Sequence, residues 1–523
     1  MPPSKRSPRA GSGKRRAFTP PAHRGRPSAA DYRRFLGRSV IGTFVPGVGL
    51  IAAGRRRVGY VVLGGFLLGL VMVIVGVVRA GRSGLIAIGS DTGLLSAIGI
   101  ASLTVAAVWL LIALVGLYLL EPAGLLVSQR LLGVGVVVLA ASLVVVPLTF
   151  ASQRVFTHRD LISTVFADED QPSLTVPEEA TKADPWAGKP RVNVLLLGAD
   201  SGADREGTRT DTVMVASVDT ESGDTALFSL PRNLLYVPFP DGPLREAYPE
   251  GFRGATEADS WLYGLYGRIP VEFPDYFEGI GDPGAEALKL AVGEALGLDI
   301  DYYVMVNLRG FQYLVDALGG IDIDVPYRIP IGTRTIPGVG CSRASGWIEP
   351  GPNQHLDGYR ALWFARARCG PGPVSDDYER MRRQRCVIGA IAGQADPLTL
   401  VTRYQQLAAA TKDTMSTDIP QQRLDAFAEL AIKVQEAGIR SLPFTDEIIE
   451  YADPDYELIQ EFVQESLEPP AEPASTPSAP ASPEPVDGES TPTESRAPGE
   501  SPAPSDSATP TESEGAQFIS EVC

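Results

Sequence analysis

Three apolar runs without a charged residue, at about 58–78, 95–120 and 131–150, constrain this chain before anything else does. At 1.5 Å of rise per helical residue, each is long enough to cross roughly 30 Å of hydrocarbon. All three are expected as transmembrane helices. A cleaved signal peptide fits poorly, because the first run lies too far into the chain and two more follow it. Basic residues crowd ahead of the first run and end in Arg55, Arg56 and Arg57. The positive-inside rule puts that side in the cytoplasm. Three crossings then place everything after residue 150 outside, as a multi-pass membrane protein with an extracytoplasmic domain. The stretch "SVIGTFVPGVGLIAAG" at 39–54 is short, carries Pro46 among glycines, and has arginine on both sides. It is expected as a re-entrant or interfacial segment; a full crossing would change the parity.

The flanking regions differ sharply. Residues 1–38 are basic and rich in Pro, Ser, Gly and Arg, although the chain as a whole has a formal charge of -17. This tail lacks the apolar content for a core and is expected as a disordered cytoplasmic segment. It is short, and the folded domain is expected outside the cell, so nucleic acid is not an expected partner. Residues 151–190 read as a linker. Residues 467–523 are largely Pro, Ser, Thr, Glu and Ala and are expected as a disordered tail, either a wall-threading spacer or a solvated end.

Between them, residues 191–466 alternate strand-like and helix-like patterns. "VNVLLLGAD" (192–200) is a buried-strand pattern, and "TVMVASVD" and "TALFSLPR" follow as two further strands around the turn "TESGD". Helical periodicity marks 284–298 and 308–320, with strands at 301–307 and 321–325. "LDGYRALWFARAR" and "DDYERMRRQRCVIGAIAG" are helices. More helices are expected at about 398–411, 420–437 and 454–466, with a short strand near 440. This alternation predicts an α/β fold, an α/β/α sandwich around a mixed central sheet, preceded by the helical transmembrane region.

Four cysteines occur, Cys341, Cys369, Cys386 and Cys523. Cys341 and Cys369 bracket a loop and a helix and can pair in an oxidising compartment, or stand as two thiols. Their spacing matches no zinc pattern. Cys386 reads as a core residue on a helix face.

Elimination narrows the chemistry. The only histidines are His23, His158 and His355, one in each of three unrelated contexts, so a Ser-His-Asp triad or a histidine-rich zinc site has little to work with. There is no Walker loop, and the glycines at 47, 49 and 54 lie in the apolar region, not after a sheet strand. Three lysines follow residue 190, which argues against Schiff-base chemistry. Carboxylates and arginines remain. Asp200 ends the first strand, and Asp211 opens the second, after Arg209. Strand ends of an open α/β sheet are where ligands sit. Two carboxylates there can share Mg²⁺, which takes few carboxylates plus substrate phosphates. The alternative is that Asp200 caps a turn and Asp211 pairs with Arg209.

The stretch "ARARCGPGPVSDDYERMRRQR" (365–385) holds six arginines and no lysine. Arginine suits bidentate recognition of phosphate. Arg366 and Arg368 end one helix. On the next, Arg380 and Arg383 are three apart, and Gln384 is four from Arg380. Arg232 ends the third strand. Together they describe a diphosphate-plus-metal site, in which a metal neutralises charge and guanidinium forks hold oxygens. The competing reading is a surface helix laced with ion pairs.

The series "VNVLLLGADSG", "RTDTVMVASVD", "FSLPRN", "GLDIDYYVMVNLRGFQYLVDALGGIDIDVP", "LDGYRALWFARAR" and "DYERMRRQR" resembles the LytR–CpsA–Psr family across residues 190–395. The resemblance implies an α/β/α domain held outside a membrane anchor. It implies transfer of a glycopolymer from a polyprenyl diphosphate carrier onto peptidoglycan, forming a phosphodiester. Asp200 and Asp211 match the family's magnesium-associated aspartates. Arg209, Arg232, Arg366, Arg368, Arg380 and Arg383 match the arginines near the diphosphate, with Gln384 alongside. Phosphoryl-type transfer depends mainly on positioning and charge stabilisation, so no histidine is needed. A base for the acceptor hydroxyl is still required, and either Asp200 or Asp211 qualifies. Two departures stand out. Asn233 replaces the aspartate of the family's usual "PRD", and "EADSWLYG" replaces a "KIN"-like segment. The multi-span anchor with the Arg-, Ala- and Val-rich composition suggests an actinobacterial protein. Alternatives are a polyprenyl diphosphate hydrolase, with water as acceptor, and a non-catalytic envelope or regulatory protein, which predicts an eroded site.

Overall fold

The computed structural model describes residues 27–168, 171–177, 179–181, 183–200, 209–336, 338–394, 414–444, 449–468, 517–519 and 523. The basic tail up to residue 26, the helix expected at 398–411 and the Pro/Ser/Thr-rich stretch 469–516 lie outside them. The chain divides into two compact units, residues 1–85 with 93–156, and residues 86–92 with 157–523.

The first unit is helical. Helix α1 (Ala29–Phe44) starts earlier than the boundary at 38 suggested, because Ser28 and Asp31 form a capping box. A turn through Pro46 and Gly47 leads into α2 (Val48–Ala52). Gly47 has φ 96°, and a Cβ on Gly42 would lie 2.8 Å from Gly49 Cα, so the two arms meet at backbone contact. Trp109 Nε1 donates to the Thr43 carbonyl at 2.7 Å, which ties down the tip. The 39–54 stretch is therefore a helical hairpin that doubles back on itself. Helices α3 (Arg56–Ser90), α4 (Thr92–Leu120) and α5 (Val127–Val165) carry the three apolar runs, and each holds a segment long and apolar enough to cross a membrane. Helix α5 does not stop at residue 150; it runs through the first fifteen residues assigned above to a linker.

The second unit is built on one mixed sheet. Its strands are β1 (Arg191–Ala199), β2 (Thr210–Asp219), β3 (Thr225–Leu230) and β4 (Tyr302–Asn307). Short strands β5 (Ile321–Val325), β6 (Ile329–Ile331), β7 (Thr335–Ile336), β8 (Gly340–Cys341), β9 (Gly346–Ile348) and β10 (Gly351–Leu356) form three side ribbons. The main sheet is completed by β11 (Met415–Thr417), β12 (Ile439–Pro443) and β13 (Gln517–Phe518), in the order β11-β4-β1-β2-β3-β12-β13. β1 runs antiparallel to β2 and parallel to β4. Its near-continuous apolar sequence follows from burial on both faces. Leu195, Leu197, Val213 and Phe228 pack on one side against the helices Leu262–Glu272 and Pro283–Leu296. On the other side, Met214 and Leu227 pack with Ile388. There the helices Leu308–Leu318, Gly358–Arg366 and Asp377–Gln394 share a second core with β5, β6, β9 and β10. This is the expected α/β/α sandwich.

Two segments read as connectors are part of the fold. Leu174 N–H donates to Glu286 Oε1 at 2.7 Å, and Trp186 stacks edge-on against Phe427, so the stretch before β1 is packed down. At the other end, residues placed in the tail return to the domain. β13 adds to β12, Ile519 is buried beside Met214 and Leu227, and Cys523 is bonded to Cys386.

Candidate active site

The site begins with an irregularity in β1. Gly198 lies opposite Thr212, and a Cβ on Gly198 would meet the Thr212 side chain at 2.9 Å, so only glycine lets the strands close up. A bulge between Gly198 and Ala199 then re-aims the strand end. Asp200 N–H donates to the Arg209 carbonyl at 2.9 Å, keeping Asp200 level with the start of β2 and hence near Asp211. Both aspartates line one cavity of about 580 Å³ between the sheet and the helices that carry the arginine-rich stretch.

The arginines arrive from four places: the start of β2, the end of β3 and two helices. Pro231 ends β3, and Arg232 Nη1 donates to Asp211 Oδ1 at 2.9 Å. Arg368, just past the helix Gly358–Arg366, places Nη2 2.9 Å from the same oxygen. Arg366 Nη2 lies 4.0 Å from Asp200 Oδ2. Arg209 and Arg232 both face the Tyr263 ring, at 5.5 and 5.7 Å. Arg380 and Gln384 complete the lining from the helix Asp377–Gln394. Eight of the nine proposed diphosphate and metal residues thus border a single cavity.

Arg383 is the exception, and its expected role is corrected. It is 1% exposed, and its guanidinium donates to the carbonyls of Phe364 at 2.5 Å and Ala367 at 2.8 Å. It closes the C-terminal end of the preceding helix, where carbonyls lack helical partners.

Two residues of the site were not singled out from the sequence. Asp377 accepts hydrogen bonds from both terminal nitrogens of Arg380 and lies 3.7 Å from Arg232 Nε. The i to i+3 spacing of Asp377 and Arg380 was its available signal. Tyr263 contributes its ring face to two guanidinium groups and its N–H to the Arg232 carbonyl at 3.1 Å; nothing in "WLYG" marks that role.

The electrostatics are those of a crowded cluster of cations around one carboxylate. Burial alone would raise the Asp211 carboxyl, but Arg368, Arg232 and Arg380 outweigh it and hold the group below the ordinary carboxylate value. Burial pushes the Arg380 guanidinium far down, and the neighbouring charges of Arg368 and Arg232 push it further. A bound anion would relieve both. Arg232 Nε and Arg380 Nε are buried without a hydrogen-bond partner, so the cluster has donor capacity to spare.

Among the described residues, no group of three or more metal-binding side chains occurs. Asp200 and Asp211 are the carboxylates among the described residues that line the cavity, and both arginine contacts to Asp211 fall on Oδ1. This donor set fits Mg²⁺ only as a half-site, completed by water and phosphate oxygens.

Apolar side chains line the same cavity: Leu196, Val304, Phe311, Leu314, Ile388 and Ile391. Cys341 and Cys369 are bonded to each other, which fixes the β7–β8 hairpin beside Arg368.

The LytR_cpsA_psr family matches residues 160–466. The chain is 28% identical over 286 residues to the polyisoprenyl-teichoic acid–peptidoglycan teichoic acid transferase TagU of Enterococcus faecalis, covering 52% of this chain and 78% of that protein. It is 25% identical over 231 residues to biofilm regulatory protein A of Streptococcus mutans, covering 43% of this chain and half of that protein. Among solved structures, the LytR-Csp2A-Psr enzyme from Actinomyces oris is 16% identical with a TM-score of 0.37, covering 58% of this chain and 94% of that one.

Proposed function

Because the chain belongs to the LytR–CpsA–Psr family, we propose that it is a membrane-anchored transferase that moves a glycopolymer from a polyprenyl diphosphate carrier onto peptidoglycan. The name of the Enterococcus relative describes such a reaction for teichoic acid. One observation carries the reading for this chain. A single cavity joins a cluster of arginines and aspartates to an apolar interior, which is the chemistry of a diphosphate esterified to a hydrocarbon chain.

In the proposed step, an acceptor hydroxyl attacks the phosphorus that bears the glycan. A P–O bond forms to the acceptor, the bond to the bridging oxygen breaks, and polyprenyl monophosphate leaves with the electron pair. Arg232, Arg366, Arg368 and Arg380 hold the non-bridging oxygens and the leaving phosphate, where charge builds up. Asp211, held by two guanidinium groups on one oxygen, is a weak proton acceptor, so the hydroxyl proton is assigned to Asp200. Mg²⁺ held by Asp200 and Asp211 would neutralise charge on the diphosphate. Trp363 and Phe311 help keep water from the lipid end.

The test is transfer of a labelled glycan from a synthetic polyprenyl diphosphate to peptidoglycan fragments, with Mg²⁺ titrated and product followed with and without acceptor. Acceptor-dependent phosphodiester is the expected product. Free phosphorylated glycan at the same rate without acceptor would replace this reading by a hydrolase. No turnover at all would favour a regulatory role, which the retained aspartates and arginines argue against. A reporter active only outside the membrane, fused after Cys523, tests the proposed side of the domain.

A further inference from the structure

Six arginines of the helical unit take no part in the chemistry above. Arg33, Arg34 and Arg38 lie on α1, Arg55 precedes α3, and Arg56 and Arg57 open it; all six are exposed. Two glycine contacts set their level. A Cβ on Gly42 would lie 2.8 Å from Gly49 Cα, so α1 lies against α2, and a Cβ on Gly59 would lie 2.8 Å from the Gly47 carbonyl oxygen, so α3 lies against α2 as well. Arg38 stands four residues before Gly42, and Arg55 four before Gly59, whose N–H donates to the Arg55 carbonyl at 2.9 Å. Each is thus one turn, about 5 Å, back from its contact with α2, on the side away from the tip at Pro46 and Gly47. Arg38, Arg55, Arg56 and Arg57 therefore form a belt around the open end of the hairpin.

This belt borders apolar surface. On α1 the large exposed side chains change from Arg33, Arg34 and Arg38 to Ile41 and Phe44, and on α3 from Arg56 and Arg57 to Val58, Tyr60 and Val61. Guanidinium groups adjoining exposed apolar side chains on both arms match the boundary between lipid headgroups and acyl chains. A soluble polyanion would leave the apolar half uncovered.

Charge sets the sign of the headgroup. Through residue 90, Asp31 is the only acid, and the rest of the helical unit adds Glu121 alone. Asp31 accepts from Ser28 Oγ at 2.7 Å and lies 3.9 Å from Arg34, and Glu121 accepts from Arg130 at 2.6 Å. Residues 1–26 hold further bases and no acid, so they only add to the surplus. Like charges one turn apart, as at Arg34 and Arg38, destabilise a helix, and cations at a helix start, as at Arg56 and Arg57, oppose its dipole. An anion held among them relieves both. The positive-inside rule needs the number of these bases, not their gathering at one level.

We propose that Arg38, Arg55, Arg56 and Arg57 form a binding site for anionic phospholipid, whose headgroup phosphate is held by guanidinium forks in the leaflet that receives the N-terminal segment. The site rests on the membrane anchor and is independent of the transfer chemistry.

The experiment reconstitutes the full chain in phosphatidylcholine bilayers with a trace of spin-labelled phosphatidylglycerol or, separately, spin-labelled phosphatidylcholine, and reads the motionally restricted fraction. The wild type is expected to retain phosphatidylglycerol roughly three- to tenfold over phosphatidylcholine, with the preference shrinking as salt rises. Changing all four residues by Arg38→Gln, Arg55→Gln, Arg56→Gln and Arg57→Gln is expected to abolish the preference, and the corresponding four changes to Lys to keep most of it. Arg79→Gln, past the far end of the first apolar run, should leave it intact. Should the fourfold Gln variant not fold, Arg55→Gln with Arg56→Gln, expected to halve the preference, decides. Equal retention of both lipids by the wild type, or an unchanged preference in a folded Gln variant, would overturn the site. Equal retention together with arginine-dependent binding of a fluorescent oligonucleotide would give these residues to a soluble polyanion instead. None of these results bears on transfer, which is assayed separately.

Discussion

Arg368 Nη2 lies 2.9 Å from Asp211 Oδ1, an ion pair between the segment after one helix and the first residues of β2. Arg232 takes the same oxygen. The carboxylate thus holds two guanidinium groups at the cavity wall, at positions that phosphate oxygens would compete for.

Asp211→Ala is therefore expected to lower kcat/KM by about ten- to a hundredfold or more, the effect of losing one charge-assisted contact of roughly 1.5–3 kcal/mol together with a metal ligand. Activity must be compared on folded protein, because the same substitution leaves Arg232, Arg368 and the buried Arg380 without their shared carboxylate and should also lower stability. The carboxyl is held below its usual value, so its contribution is complete at pH above about 4 and is lost only in stronger acid. A wild-type pH–rate profile that loses activity between pH 7 and 5 must then come from another group. Wild-type activity in folded Asp211→Ala would place the chemistry elsewhere.

Away from the cavity, Lys289 sits buried between Asp418 and Glu286, one ammonium for two carboxylates. Burial pushes the Asp418 carboxyl up to about 6, against the pull of Lys289. Its unfolded value is about 3.9. Between these values the folded state holds the extra proton, so this group makes stability fall as pH rises from about 4 to 6 and level off above. The difference in Tm between wild type and Asp418→Asn, measured across that window, should follow this slope. A difference that is flat or rises with pH would refute the assignment.

The legible parts of this fold share a cause. β1, β2 and the helix Pro283–Leu296 have long patterns of one period, and the helix has Asp282 and Gly297 as its caps. The ribbons at 329–348 are two or three residues long, too short for a period to register, so the cavity wall at Arg334 was invisible. β13 was hidden differently. It follows a stretch whose composition argues against any core, and only Ile519 and Cys523 hint at a return. Asp200 and Asp211 were legible because strand ends and carboxylates coincide. Cys386 was legible as a core residue but not as a bonded one, since its partner is 137 positions away.

That long-range bond should matter for stability. Closing a large loop and fastening β13 to the sheet is worth roughly 2–5 kcal/mol. Non-reducing peptide mapping should recover two linked pairs, Cys341 with Cys369 and Cys386 with Cys523. Cys523→Ser should lower Tm and expose β12 to proteolysis or exchange, as loss of an edge cover would. Free thiols at Cys386 and Cys523 in protein from an oxidising compartment would remove the strap from the fold.

Arg380 and Arg383 give the sharpest contrast, because they look equivalent in "DYERMRRQR". At 100° per residue, Gln384 lies 40° from Arg380 on one side and Arg383 lies 60° away on the other. That divergence keeps Gln384 on the cavity and turns Arg383 into the domain, onto the carbonyls of Phe364 and Ala367. Arg383→Ala should therefore cost about 2–4 kcal/mol in denaturant unfolding, since it strips charge-assisted partners from buried carbonyls. Arg383→Lys should not rescue it, as a point charge cannot span both carbonyls. Arg380→Ala removes a cation already disfavoured by burial and by Arg368 and Arg232, so stability should move by about 1 kcal/mol or less while transfer falls roughly ten- to a hundredfold. The same mechanism predicts that activity lost in Arg383→Ala scales with the unfolded fraction and returns when the assay is cooled below the lowered Tm, whereas activity lost in Arg380→Ala does not return at any temperature. Identical behaviour of the two variants would mean that the helix does not present its arginines as described.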